Sequence, residues 1–160
     1  DTLEGVVAAL LIRKHLTLAV AESCTGGLVT DRLTDVPGSS AYLERGVVTY
    51  SNLAKTELLG VPAEVIGKFG AVSRETASLM AEGVKRISHA DLGLAVTGIA
   101  GPAGGTEAKP VGTLFIALAD GKQTLCREFL FAQERRRFKV SASQQALLLL
   151  KNYCSGQADG

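Results

Sequence analysis

Residues Glu22-Ser23-Cys24-Thr25-Gly26-Gly27 place two hydroxyls and a thiol on one glycine-rich stretch. The stretch follows the apolar run Leu18-Ala19-Val20-Ala21 and precedes the amphipathic segment Leu28–Leu33. This pattern predicts a strand, a tight turn and the start of a helix. Free backbone N–H groups at a helix start attract anions and can stabilise an oxyanion. A hydroxyl or thiol held beside them can attack a carbonyl carbon. The same residue types also suit a plain helix N-cap, so the turn alone leaves both readings open.

A second glycine-rich stretch, Thr97-Gly98-Ile99-Ala100-Gly101-Pro102-Ala103-Gly104-Gly105-Thr106, follows the apolar segment Leu92–Val96. Ligands bind at such strand ends in α/β sheets. The spacing matches neither a Walker A loop nor GxGxxG, which removes the best support for a triphosphate or dinucleotide site. If the two strands are neighbours, both stretches converge on one pocket. A serine nucleophile there needs a base. Lysine becomes a base when burial disfavours its ammonium form. Lys55 stands out because it follows Thr49-Tyr50-Ser51-Asn52, a polar strand end; its alternative role is a solvated helix lysine. Cys24 is the rival nucleophile, although free cysteines are more often buried and inert. In Glu134-Arg135-Arg136-Arg137-Phe138-Lys139, Arg135 and Lys139 are four apart and share a helical face that can hold a phosphate or simply face solvent. No aromatic residues are interleaved there for base stacking, so nucleic acid is not the expected partner. The two histidines, His15 and His89, each follow a helical segment and read as C-terminal caps. With no clustered ligand spacing in the chain, no metal and no cofactor are expected.

These residues need elements to hold them. Helical spacing covers residues 3–15, 26–35, 53–59, a short segment opened by Pro62, 75–87 and 138–153. Strands are predicted at 17–21, 46–50, 92–96, 111–118 and 124–131, the last two joined by a hairpin turn at Asp120-Gly121. Alternating helices and strands with one late hairpin give a three-layer α/β/α sandwich with a mixed, mostly parallel sheet. The chain has 160 residues, 46% hydrophobic and 21% charged, with net charge +1. That suits one soluble domain, residues 1–154, with a disordered tail from Ser155 to Gly160. No apolar run approaches the ~18 residues that span a bilayer, so no membrane partner is expected. The cysteines Cys24, Cys126 and Cys154 are odd in number and lack CxxC spacing, which fits a reducing cytoplasm. The apolar run Leu147–Leu150 docks on the core or on another subunit, and a homo-oligomer (dimer or higher) is expected. The start at Asp1 suits a piece of a longer chain.

Several segments together resemble the CinA C-terminal family, the nicotinamide mononucleotide deamidases. They are Ala21–Gly27, Pro37-Gly38-Ser39-Ser40, Gly46–Asn52 with Lys55, Gly70-Ala71-Val72-Ser73, Thr97–Pro102 and Lys109–Thr113. The likeness runs from residue 3 to about 150. It implies hydrolysis of the carboxamide of nicotinamide mononucleotide to nicotinic acid mononucleotide and ammonia, a step of bacterial pyridine-nucleotide salvage. It implies a metal-free serine amidase, with Ser23 as nucleophile, Lys55 as base, and Tyr50 and Thr97 lining the pocket. Substrate binding is assigned to Thr25, Gly26, Gly27, Ser39, Asn52, Gly98, Gly101 and Gly104, with Arg135 and Lys139 for the phosphate. Backbone N–H groups around Thr25–Gly27 are expected to hold the oxyanion.

The family also contains two-domain proteins with an N-terminal molybdopterin-cofactor-like domain and pyrophosphatase activity toward ADP-ribose. A competing expectation is a non-catalytic nucleotide-binding or regulatory domain of a competence- or damage-related protein. Related chains carry Gly-Asp-Arg where this one has Gln133-Glu134-Arg135, and Arg where it has Lys139. Lysine lacks the bidentate fork of arginine, which predicts weak mononucleotide binding that Lys139→Arg would tighten.

Overall fold

The computed structural model describes residues 1–157. The chain runs α1 (Leu3–Arg13), β1 (Leu18–Glu22), α2 (Leu28–Thr34), a 3₁₀ turn (Ser39–Ala41) and β2 (Leu43–Val48). It continues through α3 (Asn52–Leu59), α4 (Ala63–Phe69), α5 (Arg74–Ser88) and β3 (Leu92–Gly98), then β4 (Thr113–Ala119), β5 (Thr124–Leu130) and α6 (Arg135–Cys154). The sheet order is β2-β1-β3-β4-β5. β1 pairs parallel with β2 and β3, while β4 is antiparallel to both β3 and β5, so β4 alone opposes the other four strands.

Period-two alternation divides the apolar side chains between the two faces of the sheet. Leu18, Val20, Leu94, Val96, Leu114 and Ile116 cluster with α1, α2 and α6. Ala19, Ala21, Ala95, Ala117 and Ala119 cluster with Leu59, Met80 and Val84 of α3 and α5. Large residues line one face, while the second is built mostly of alanines with Phe115 among them, so α5 approaches its face closely. A Cβ on Gly93 would stand 2.1 Å from Ala81 O, and one on Gly83 would stand 2.0 Å from Leu59 O. The expected three-layer α/β/α sandwich with a mixed sheet is the observed fold.

Boundaries differ where local chemistry overrides hydropathy. β2 spans Leu43–Val48 rather than 46–50, because its ladder against β1 begins at Leu18–Leu43. As an edge strand it is mostly solvated, so its first half carries no apolar signature. α6 starts at Arg135 rather than Phe138, because the Glu134 side chain accepts from the N–H groups of Arg136 and Arg137. His15 and His89 lie just past α1 and α5 with φ of 55° and 51°. Their contribution is thus a left-handed backbone that ends each helix. Beyond α6, Ser155, Gly156 and Gln157 donate their N–H groups back to Lys151, Tyr153 and Asn152, so the chain is tethered there instead of leaving as a free tail. The rest of the expected tail, residues 158–160, lies outside the described residues. No helix among the described residues is long and apolar enough to cross a membrane.

Candidate active site

From β1 the chain passes through α2 to β2 on one side. It returns through α3, α4 and α5 to β3 on the other side. The carboxyl end of β1 is therefore a switch point, where α/β sheets open a crevice. A cleft of about 240 Å³ lies there, with Ser23, Lys55, Tyr50, Thr97, Gly98 and Arg135 among its walls. The two glycine-rich stretches do converge, because β1 and β3 are paired in register and Ser23 N–H donates to Val96 O at 3.0 Å.

Ser51 caps α3 by accepting from Ala54 N–H, and this turns Lys55 inward. Lys55 is 1% exposed. Its Nζ lies 2.8 Å from Thr49 O, 3.0 Å from Tyr50 O and 3.0 Å from Ser23 Oγ. Carbonyl oxygens only accept, so two N–H bonds go to Thr49 and Tyr50. In a neutral amine the remaining lone pair faces the Ser23 hydroxyl, and that is the arrangement of a general base. Burial lowers the Lys55 pKa to about 8, against a small opposing pull from Cys24. Burial also pushes the Cys24 thiol up to about 12. The side chain that Lys55 Nζ contacts is the Ser23 hydroxyl, and this contact favours Ser23 over its neighbour as the candidate nucleophile.

Thr97 Oγ1 donates to Ala71 O at 2.9 Å, tying β3 to the loop after α4. Arg135 donates to Gly101 O at 2.7 Å and to Tyr50 Oη at 3.1 Å, so it bridges the cleft mouth from the glycine loop to the end of β2. Tyr50 is 60% exposed on this rim. Lys109 Nζ donates to Phe69 O and anchors the far side of the loop. Gly98 has no room for a side chain. Its Cβ would fall 2.9 Å from Phe138 Cζ and Thr113 O, and 3.2 Å from Cys24 Sγ.

The structure brings together Ser23, Lys55, Tyr50, Thr97, Gly98, Gly101, Gly104 and Arg135 around one cleft. Other assignments change. Thr25 is 1% exposed and donates to Glu22, so it supports the turn instead of facing a substrate. Gly26 N–H donates to Ser23 O at 3.1 Å and is not an oxyanion donor. Among the described residues, the N–H groups of Cys24, Thr25 and Gly27 make no hydrogen bond to another residue. Gly27, with φ 106°, is the left-handed N-cap of α2. Ser39 lies in the 3₁₀ turn next to Tyr42, whose carbonyl accepts from Leu18 N–H at the amino end of β1. It is thus at the opposite end of the sheet from Ser23. Asn52 lines a separate shallow groove with Leu53, Thr56 and Ile66. Lys139 is not among the cleft walls. Its Nζ is 3.6 Å from where a Gly26 Cβ would stand, against the turn.

Glu22 is a residue to which the sequence alone assigns no role. It is fully buried and accepts from Thr25, Val29 and Thr30. The signal was present, because an acid that ends an apolar strand must find donors when buried. No group of three or more potential metal ligands occurs among the described residues.

The CinA C-terminal domain model matches residues 1–154. A CinA-like protein of Syntrophus aciditrophicus (strain SB) is 70% identical over 154 residues, 96% of this chain and 37% of that protein. The chain thus spans little more than a third of that relative. The crystal structure of competence damage-inducible protein A from Klebsiella pneumoniae superposes with a TM-score of 0.92 at 35% identity, covering 96% of this chain and 95% of that one. The competence/damage inducible protein CihA from Agrobacterium tumefaciens gives 0.88 at 40% identity, covering 92% and 93%. The chain belongs to the CinA C-terminal domain family.

Proposed function

We propose that this domain is an amidohydrolase that converts nicotinamide mononucleotide to nicotinic acid mononucleotide and ammonia. The observation that carries the proposal is the buried Lys55 amine, held by two carbonyls with its third contact on Ser23 Oγ. Ser23 Oγ attacks the carboxamide carbon and its proton passes to Lys55 Nζ. Lys55 then returns that proton to the leaving nitrogen, and ammonia departs as the Ser23 ester forms. Water, deprotonated by Lys55, attacks the ester and releases the acid. The N–H of Cys24, the residue after the nucleophile, is the first candidate donor to the oxyanion, with those of Thr25 and Gly27 beside it. Arg135 at the cleft mouth is the group proposed for the phosphate, since its guanidinium grips two oxygens.

The test is ammonia release from nicotinamide mononucleotide, with nicotinamide and nicotinamide riboside assayed in parallel. The proposal predicts release from the mononucleotide, little from the two compounds without phosphate, and none from the mononucleotide with Ser23→Ala. Tight binding without ammonia would favour the non-catalytic reading.

A further inference from the structure

The start of α2, where the sequence led us to expect an external anion, already holds an internal one. Glu22 Oε1 accepts from Thr25 Oγ1 at 2.6 Å and from Val29 N–H at 2.9 Å. Its Oε2 accepts from Thr30 N–H at 2.8 Å and Thr30 Oγ1 at 2.7 Å. All four partners donate, and the side chain is fully buried. The backbone of the same residue accepts from Thr49 N–H at 2.8 Å, and Thr49 O in turn receives Lys55 Nζ. Glu22 therefore reaches the nucleophile turn through its side chain and the base's anchor through its main chain.

We infer that Glu22 is the positioning residue of the Ser23 turn, clamping Thr25 to the first turn of α2 so that Ser23 Oγ is held against Lys55 Nζ. The inference rests on the Ser23–Lys55 reading of the site. It has two chemical consequences. The amides of Val29 and Thr30 are occupied, so a substrate phosphate must be held elsewhere. A neutral amide cannot replace the carboxylate, because its NH₂ group would face at least one of the four donors.

Labelling of Ser23 by a fluorophosphonate, followed by mass spectrometry, measures nucleophile activation without a substrate. Glu22→Gln is expected to label about tenfold more slowly or worse, because buried donors lose their acceptor. Thr25→Val, which leaves the other three bonds to Glu22, is expected to slow labelling by a smaller factor. The double variant should be no slower than Glu22→Gln alone, since both changes break one linkage. The pH midpoint of labelling should stay at the wild-type value in Thr25→Val, which changes no charge and leaves the backbone bond to Thr49 untouched. If Glu22→Gln fails to fold, Thr25→Val decides the question. Wild-type rates in the folded variants, or a displaced midpoint in Thr25→Val, would overturn the positioning role while leaving the dyad standing. Wild-type protein that neither labels at Ser23 nor releases ammonia would overturn both.

Discussion

Lys55 and Lys139 approach the Ser23–Gly27 turn from different layers, Lys55 from α3 on one face of the sheet and Lys139 from α6 on the other. Lys55 ends on three fixed oxygens, is removed from water, and has its pKa lowered to about 8. Lys139 is only half-buried and rests its ammonium against Gly26, outside the cleft walls. The same residue type thus stands in two settings, one that suits the proposed base and one outside the cleft. Burial sets that difference, and the two carbonyls fix where the amine points.

The sharpest way to break the contrast is at its shared target. Ser23→Ala should lower kcat for ammonia release about 10³-fold or more while the thermal midpoint changes little, because only a buried-edge hydroxyl is lost. Cys24→Ala should keep most activity, and the reverse pattern would move the nucleophile to the thiol. Next in size is the base. Lys55→Arg should lose about 10²–10⁴-fold in kcat, since a guanidinium stays charged and cannot take the proton. Full activity in that variant, measured by steady-state kinetics, would rule out proton transfer to Lys55.

The rim is expected to respond more weakly and in KM. Arg135→Ala removes a charge-assisted grip and should raise KM for the mononucleotide about tenfold with kcat nearly kept. The smallest effect concerns Lys139. The sequence reading expects Lys139→Arg to tighten binding, but its position against Gly26 now predicts a KM within about twofold of the parent. A tenfold fall in KM would show that the side chain swings into the cleft and reaches the phosphate.

The contrast also explains what the sequence made legible. Periodicity and turn residues locate the α-helices and strands of the described residues, though not the 3₁₀ turn at Ser39–Ala41, because burial of one face writes a regular pattern into the chain. The convergence of Ser23 and Gly98 was readable only as a condition, that their strands be neighbours, since pairing of β1 with β3 is a tertiary fact. Lys55 drew notice by its place after a polar strand end, yet nothing local distinguishes it from Lys139. The carbonyls that orient its amine belong to Thr49 and Tyr50, and main-chain acceptors leave no mark in residue type. Glu22 was passed over for a related reason, because its donors are mostly backbone amides of α2 and a threonine. Ser39 and Asn52 were assigned from their motifs. Adjacency to a motif did not reveal that one sits at the far end of the sheet and the other on a separate groove.

The dependence of ammonia release on pH tests the central claim most directly. Lys55 must be neutral to accept the Ser23 proton, and its folded-state pKa of about 8 lies below the ordinary lysine value. Activity toward nicotinamide mononucleotide should therefore rise with pH through a midpoint near 8 and level off above it. A rate that is flat from pH 6 to 9, in a protein whose Ser23→Ala variant is inactive, would contradict proton transfer to Lys55.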